Sequence, residues 1–193
     1  MEKPILLVAT GNAGKLAEIK SILQNYQVMG AKEAGLSFDA EETGKSFADN
    51  AAIKARELKK LTSHAVLADD SGLCVDALGG APGIYSARYA GENATDDENL
   101  DKLLAVMADV PEEKRCAHFT SVVCLITEDG QEIFGEGRCT GKILHERSGN
   151  GGFGYDPVFY SDDYGKSFGD LSHEHKNEIS HRKRALFDLL QKL

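Results

Sequence analysis

The sequence begins with an apolar segment that leads directly into a glycine-containing turn and then into a helical pattern. Residues 5–9 (ILLVA) are typical of a strand that is buried on both faces. The turn at residues 10–15 (TGNAGK) is followed by apolar residues that recur on one side of a helix: Leu16, Ile19, Ile22 and Leu23. A chain that starts in this way is expected to form a sheet with helices packed against it.

Strand and helix patterns continue to alternate until a hairpin pattern appears late in the chain. The predicted helices cover residues 47–61, a segment that starts at the capping-box sequence TDDE of residues 95–98, and one long segment over residues 174–193. The predicted strands cover residues 65–68, which end at Asp69 and Asp70, and the hairpin segments 118–127 and 131–140. We therefore predict an α/β fold with a long mixed β-sheet flanked by helices.

The charge balance limits the partners that such a chain can bind. The 193 residues contain 22 Lys and Arg against 31 Asp and Glu, which gives a formal net charge of −9. An acidic surface disfavours the backbone of a nucleic acid, which is held mainly by basic faces. A small anion is still possible, because a few well-placed cations can bind one.

Further patterns concern the cell compartment. The longest early apolar run covers only residues 5–9, far short of the ~20 residues that cross a bilayer, and no signal-peptide pattern precedes it. The four cysteines (Cys74, Cys116, Cys124 and Cys139) lie far apart, without the grouping of a zinc site or a disulfide scaffold. We expect a reduced, cytoplasmic protein without a membrane partner.

The first turn has the composition of an anion-binding site. Backbone N–H groups at a helix N-terminus, together with the helix dipole, favour a bound phosphate. The residues concerned are Thr10, Gly11, Asn12, Ala13, Gly14 and Lys15. They do not match the Walker A pattern, so an ordinary strand-to-helix turn is the alternative interpretation.

Cations interrupt the apolar faces of two predicted helices. Lys54, with Asn50, lies in the apolar stripe of the second helix. Lys176 and Arg182, with His181 beside them, fall in phase with the stripe of the last helix, which consists of Ile179, Leu186, Leu189, Leu190 and Leu193. Inward cations require a negative partner, which is either a bound anion or an internal carboxylate. For Lys54 the alternative interpretation is a side chain that extends along the apolar surface and places its ammonium in solvent.

Carboxylates supply the complementary charge. Glu42 follows Glu41 in a predicted loop, and Asp69 and Asp70 stand at a predicted strand end, where open α/β sheets bind ligands. A pair of carboxylates brought together by the fold could hold Mg²⁺, and one of them could activate a water molecule. In isolation the sequence DDSG is also typical of a simple turn.

A glycine-dense segment at residues 149–156 carries two aromatic side chains. Its glycines allow the backbone to approach a ligand closely, and Phe153 and Tyr155 could stack on a nucleobase. Packing of both rings into the core is an equally good interpretation. The combination of inward cations, paired carboxylates and glycine-rich loops favours metal-assisted chemistry on a phosphate ester or anhydride.

These motifs together resemble the inosine triphosphate pyrophosphatase family over essentially the whole chain. The matching motifs are TGNAGK at 10–15, EETG at 41–44, Asn50 and Lys54, DDSGL at 69–73, GGAPGIYSAR at 79–88, GFGYDP at 152–157 and ISHR at 179–182. Each motif alone is modest, but all of them in this order form a specific signature.

The resemblance implies an activity and a fold. Such enzymes cut a non-canonical purine triphosphate (ITP, dITP or XTP) between its α and β phosphates, with Mg²⁺, and release the monophosphate and pyrophosphate. The implied architecture is a single domain over residues 1–193 with two lobes and a substrate cleft between them, in a homodimer.

The resemblance also implies residue roles. Residues 10–15 and Lys54 would bind the triphosphate, Glu42 and Asp70 would hold the metal, and Asp70 would be the catalytic base. Ser71 would contact the substrate. The base and sugar pocket would be formed by Phe153, Gly154, Tyr155, Asp156, Lys176, His181 and Arg182.

Three alternatives remain open at this point. A related pyrophosphatase could act on modified pyrimidine or methylated nucleotides, and a nucleotide sensor could bind without turnover. In a purely structural module, Lys54, Lys176 and Arg182 would all be held in internal salt bridges. If Asp70 is the base, activity should rise with pH, and an optimum below about pH 5 would contradict this role.

Overall fold

The apolar segment near the N-terminus forms the first strand of a mixed sheet. The computed structural model describes residues 3–193, apart from the side chain of His173. The strands within this range are β1 (Ile5–Val8), β2 (Gln27–Gly30), β3 (Ala65–Val75), β4 (Cys116–Ile126), β5 (Glu132–Ile143), β6 (Phe159–Ser161) and β7 (Lys166–Ser167). The α-helices are α1 (Ala13–Ile22), α2 (Phe47–Lys59), α3 (Asp96–Val106), α4 (His173–Ile179) and α5 (His181–Leu190).

The strands of the described residues form one sheet in the order β2-β1-β3-β4-β5-β6-β7. β1 pairs in parallel with both neighbours, so that Leu7 lies opposite Met29 on one side and Val66 on the other. β6 pairs antiparallel with β5 and with β7. The predicted α/β class with a mixed sheet is confirmed.

The described chain divides into two compact units, and β3, β4 and β5 each contribute to both. The first unit contains the chain up to Asp70, Ser121–Gly137 and Arg182–Leu193. In this unit Leu7 and Ala9 of the β1 segment pack in one apolar cluster with the buried face of α2, whereas Leu6 and Val8 pack in another cluster with α1 and α5. Alternate side chains of a strand point to opposite faces, which explains why this segment is apolar throughout.

The second unit contains Ser71–Thr120 and Arg138–His181. Its apolar core packs α3 against the strands and includes three phenylalanine rings. The ring centroids of Phe119 and Phe159 are 4.7 Å apart, and those of Phe159 and Phe168 are 4.9 Å apart, both in edge-to-face geometry. The predicted capping box starts α3, because the Thr95 hydroxyl accepts from the Glu98 N–H and the Glu98 carboxylate accepts from the Thr95 N–H.

The prediction of one long C-terminal helix is wrong. α4 ends at Ile179, and Ser180 adopts an extended conformation (φ −60°, ψ 150°) before α5 begins at His181. Serine is a preferred residue immediately before a helix, and it therefore favours a new start at this point. Of the predicted stripe, Leu186 and Leu189 are buried, whereas Leu190, the last residue of α5, and Leu193, which follows the helix, are 41% and 60% exposed.

Other predicted boundaries also differ. α2 ends at Lys59, and Leu61, which was expected on its apolar face, is 47% exposed. β3 does not end at Asp69 but continues to Val75, so both aspartates lie inside an eleven-residue strand. The two carboxylates can occupy the middle of a buried strand because partners on other elements neutralise each of them, as described below.

Other sequence predictions agree with the structure. The hairpin between β4 and β5 is closed by a hydrogen bond from the Thr127 N–H to the Gln131 carbonyl, with Gly130 at φ +91°. All four cysteines, each within the described part of the chain, carry free thiols. None of the helices that the structure describes combines the length and the apolar character that a membrane span requires.

Candidate active site

The polar side chains of the first turn shape the start of α1. The Asn12 side chain accepts a hydrogen bond from the Lys15 N–H at 3.0 Å, and the Thr10 hydroxyl accepts from the Asn12 N–H at 3.1 Å. Gly11 is exposed, and a Cβ built on it would meet no atom within 4 Å. The turn is therefore an accessible helix N-terminus of the kind that binds anions.

Asp69 is the centre of a buried charge cluster in the first unit. Its carboxylate contacts the Lys15 ammonium at 2.9 Å and the Arg182 guanidinium at 3.3 Å, and it accepts from the Ser121 hydroxyl at 2.5 Å. Burial acts to raise the pKa of Asp69, but Arg182 and Lys15 outweigh it and hold this pKa well below the ordinary value. The carboxylate of Glu18, on α1, forms a second ion pair with Arg182.

Sequence reasoning missed the central role of Asp69 and the part of Glu18 and Ser121. Asp69 was noted only as the neighbour of Asp70. The available signal was its position one residue before Asp70, since adjacent strand residues face opposite sides and each therefore needs its own partners.

Asp70 belongs to a second cluster in the same unit. The Lys54 ammonium lies 3.0 Å from the Asp70 carboxylate and 2.9 Å from that of Glu42, and the Asn50 amide donates to Asp70 at 3.3 Å. The predicted proximity of Glu42, Lys54 and Asp70 is thus present in the structure.

The electrostatics of this cluster follow from burial and from the shared cation. Burial raises the pKa of the Asp70 carboxyl, and the nearby charge of Glu42 acts in the same direction, whereas Lys54 and Lys15 oppose the change. Burial acts to lower the pKa of Lys54, but the two carboxylates outweigh it, so that this pKa is raised. Lys54 stays charged, and Asp70 holds a proton more readily than an exposed aspartate does.

The loop that carries Glu42 is fixed to α2 by a close approach at Gly44. The Gly44 N–H donates to the Asn50 side-chain oxygen at 2.9 Å. A Cβ at position 44 would come within 2.5 Å of that oxygen and 2.9 Å of the Asn50 nitrogen, so a side chain cannot be accommodated here without movement. Asn50 therefore links the loop of Glu42 to the carboxylate of Asp70.

The second unit contains a different cluster around a buried ion pair. The Lys176 ammonium contacts the Asp156 carboxylate at 2.6 Å, and both side chains are 3% exposed. The same ammonium lies 4.3 Å from the centre of the Phe153 ring, within the range of a cation–π contact. Asp156 also accepts from the Phe153 N–H at 2.8 Å, which holds the loop in place.

The two aromatic residues of this loop have different environments. Tyr155 is buried in the core of its unit and donates its hydroxyl to the Ser86 carbonyl at 2.8 Å. Burial raises the pKa of Tyr155. Tyr155 thus packs into the core, as the core-packing interpretation expects, whereas Phe153 is only partly buried.

The other residues predicted for the site are Ser71, His181 and Gly154. Ser71 follows Asp70 in β3 and is partly buried. His181 is 4% exposed, and its ring stacks on Phe119 with the centroids 4.8 Å apart. Gly154 donates its N–H to Asp96 at 2.8 Å.

Each of the three inward cations is ion-paired, as the structural-module alternative expects. Lys54 contacts Glu42 and Asp70, Lys176 contacts Asp156, and Arg182 contacts Glu18 and Asp69. These pairs also preorganise cations and carboxylates for a charged ligand, so the contacts alone do not distinguish the two interpretations. The comparison with known proteins distinguishes them.

Those comparisons agree over the whole chain. A dITP/XTP pyrophosphatase of Salmonella typhi is 50% identical, over 100% of this chain and 98% of that protein. The Ham1 protein structure of Staphylococcus aureus has a TM-score of 0.85 at 42% identity, and covers 97% of this chain and 96% of its own. A nucleoside-triphosphatase (dITP/XTP pyrophosphatase) structure from Mycobacterium abscessus has a TM-score of 0.76 at 43% identity, with 96% and 98% covered. The model of the Ham1 family matches residues 6–192, and the chain therefore belongs to the Ham1 family.

Proposed function

We infer that this chain is a dITP/XTP pyrophosphatase, which removes non-canonical purine nucleotides by cleaving them to the monophosphate and pyrophosphate. The observation that carries the inference is the contact of the Glu42 and Asp70 carboxylates with one shared ammonium, Lys54, in a protein of the Ham1 family. Relatives of about half identity over the full length bear this activity in their names.

The donor set of the first unit fits a hard divalent cation. Among the side chains that the structure describes, no three His, Cys, Asp or Glu group into an all-protein metal site. Mg²⁺ is commonly held by one or two carboxylates together with substrate phosphates, so Glu42 and Asp70 are a suitable pair of ligands. When bound, Mg²⁺ would supply positive charge against the phosphate oxygens of the substrate.

The cations and the first turn would bind the triphosphate. The accessible turn at the N-terminus of α1 consists of Thr10, Gly11, Asn12, Ala13, Gly14 and Lys15, of which Gly11, Asn12 and Ala13 are exposed. Lys15 and Lys54 are both held in place by carboxylates before any ligand binds. Their ammonium groups would then oppose the negative charge that the phosphates carry.

Asp70 would take the proton of the attacking water. A carboxylate whose pKa is raised by burial is a stronger base than an exposed aspartate, and the ammonium of Lys54 beside it favours its ionised form. Ser71, the next residue along β3, would contact the substrate. In this role Asp70 must be deprotonated, so activity would increase with pH.

The second unit would recognise the base. Hypoxanthine and xanthine present an oxo group where adenine presents an amino group, and the ammonium of Lys176 can donate only to the former. Phe153 would offer a stacking face beside Lys176. The other residues proposed for base and sugar binding are Gly154, Tyr155, Asp156 and His181 of this unit, together with Arg182 of the first unit. Guanine shares the oxo group, so discrimination against GTP has to arise elsewhere on the base.

We further propose that the protein is a single domain of two lobes over residues 1–193, acting as a homodimer in the cytoplasm. The four free thiols support a reducing compartment. Sedimentation of the purified protein tests the assembly, with a monomer at micromolar concentration as the contradicting result.

Product analysis tests the reaction directly. Incubation with dITP, ITP or XTP and Mg²⁺ should release the nucleoside monophosphate and pyrophosphate. Formation of the diphosphate and orthophosphate would mean that a different bond is cleaved. Preferential turnover of dUTP, dTTP or a methylated GTP would favour the related pyrophosphatases instead.

The variant Asp70→Asn distinguishes an enzyme from a sensor. The amide keeps the size of the side chain but cannot accept the proton, so we expect hydrolysis to fall by at least about 100-fold while nucleotide binding is retained. Asp163→Asn, a change of the same kind on the second unit outside the proposed sites, is the control. Unchanged hydrolysis in Asp70→Asn would remove Asp70 from the mechanism.

A further inference from the structure

The first turn of α3 carries three consecutive acidic residues, and each has a separate partner. Glu98 completes the capping box with Thr95. Asp97 binds the Arg147 guanidinium at 2.5 Å, and Asp101, one turn further, binds the same guanidinium at 2.7 Å. Asp96 accepts the backbone N–H of Gly154 at 2.8 Å.

The partner of Asp96 lies within the segment that carries the proposed base-binding residues. Gly154 has a positive φ of 60°, a conformation that glycine leaves easily when nothing restrains it. On one side of it, Phe153 contacts the Lys176 ammonium through its ring. On the other side, Tyr155 is anchored in the core by its hydroxyl.

We propose that Asp96 is a positioning residue for base recognition, which holds the Gly154 N–H and thereby fixes the ring of Phe153 over Lys176. The hydrogen bond restrains the peptide that connects a partly buried ring to a fully anchored one. The Phe153 N–H is held separately by Asp156 at 2.8 Å, so the Asp96 bond restrains the peptide on the other side of Phe153. With the Asp156 bond alone, the backbone at the glycine could turn, and the Phe153 ring would occupy a wider range of positions than the one from which it would stack on the base. Asp96 itself does not need to touch the nucleotide. The proposal rests on the proposed function for its kinetic consequence.

The variant Asp96→Ala tests this role by a split between KM and kcat. We expect the KM for dITP to rise about five- to tenfold, the effect of losing one restraining hydrogen bond, while kcat stays within about twofold. Asp96→Asn retains a side-chain oxygen that can accept the same N–H and should behave like the wild type. Inhibition by tripolyphosphate, which lacks a base, should be the same in all variants.

Asp97→Ala is the matched control, since it removes the same charge from the same helical turn and leaves Arg147 paired with Asp101. An unchanged KM in Asp96→Ala, an equal rise in Asp97→Ala, or an equal rise in Asp96→Asn would each overturn the proposal. A loss of stability without a change in KM would also do so, because it would assign Asp96 a purely structural role.

Hydrogen exchange separates this inference from the proposed activity. In Asp96→Ala, the amides of residues 149–156 should exchange at least about fivefold faster than in the wild type. If the wild type hydrolyses neither dITP nor XTP, the proposed function fails. Faster exchange of this segment in Asp96→Ala would still show that the hydrogen bond from Gly154 to Asp96 restrains it. Unchanged exchange in Asp96→Ala would contradict a restraining role of Asp96, whatever the activity of the protein.

Discussion

At the scale of single residues, the two neighbouring aspartates of β3 have opposite acid–base behaviour. Asp69 is stabilised as an anion by Arg182, Lys15 and Ser121, which lowers its pKa, whereas burial beside Glu42 raises the pKa of Asp70. Strand alternation places the two side chains in different environments. One carboxylate therefore orders cations, and the other is suited to accept a proton.

Removal of the shared ammonium tests the first-unit cluster. In Lys54→Met the side-chain length is kept, but Glu42 and Asp70 lose the cation that both contact. We expect kcat/KM for dITP to fall by at least about 100-fold, as for other charge contacts to a reacting group. Lys20→Met, which removes a partly exposed ammonium paired with Glu33, should leave kcat/KM within about twofold. Activity above a third of the wild type in Lys54→Met would contradict the role.

At the scale of elements, Arg115 connects the end of α3 to the end of β5. Its guanidinium is 1% exposed and donates to the carbonyls of Met107, Val110, Ile143 and Leu144 at 2.7 to 3.0 Å. Met107 is the cap residue that follows α3, and the last carbonyls of a helix lack partners within it. One cation therefore satisfies carbonyls on two elements of the second unit.

Arg115→Met should destabilise the protein strongly. The variant keeps the apolar stem but leaves four carbonyls without this donor, and we expect a loss of about 3–5 kcal/mol in the free energy of unfolding. Urea unfolding of Arg147→Met, which removes a half-exposed guanidinium from a surface pair, should show a loss below about 1 kcal/mol. Equal losses in the two variants would show that the buried hydrogen bonds of Arg115 stabilise the protein no more than a surface ion pair does.

At the scale of the whole molecule, several carboxylates are more acidic in the folded chain than in isolation. The pKa of Asp69 is lowered most clearly, and those of Glu33, Glu98, Glu112 and Glu132 are lowered by surface hydrogen bonds and ion pairs. Below about pH 4 these carboxylates bind protons in the unfolded chain but stay deprotonated in the folded chain. Asp70, whose pKa is raised, contributes with the opposite sign.

The stability of the protein should therefore be constant near neutrality and decrease as the pH falls through about 4. Asp69→Asn should lower the free energy of unfolding at pH 7 by about 3 kcal/mol, because Arg182 and Lys15 lose a buried partner, and should flatten its decline between pH 5 and about pH 3. Urea unfolding as a function of pH measures both effects. A wild-type stability that increases on acidification, or an Asp69→Asn decline as steep as the wild type, would contradict this assignment.

The local elements and the chemistry of the site were accessible from the sequence because short-range patterns encode them. The apolar run of residues 5–9, the turn before α1 and the capping box at Thr95 all formed as predicted. Lys54 was recognised as an inward cation because it interrupts an apolar stripe. Such signals depend only on neighbours within a turn or two of chain.

Only the tertiary structure decided the rest, because it depends on contacts between residues distant in sequence. β3 continues through Asp69 and Asp70 since partners from other elements neutralise their charges, and no local pattern records those partners. The chain breaks between α4 and α5 at Ser180, whereas the local pattern predicts one continuous helix through this residue. The hydrogen bond of Asp96 to Gly154 joins residues 58 positions apart, a distance over which side-chain periodicity carries no information.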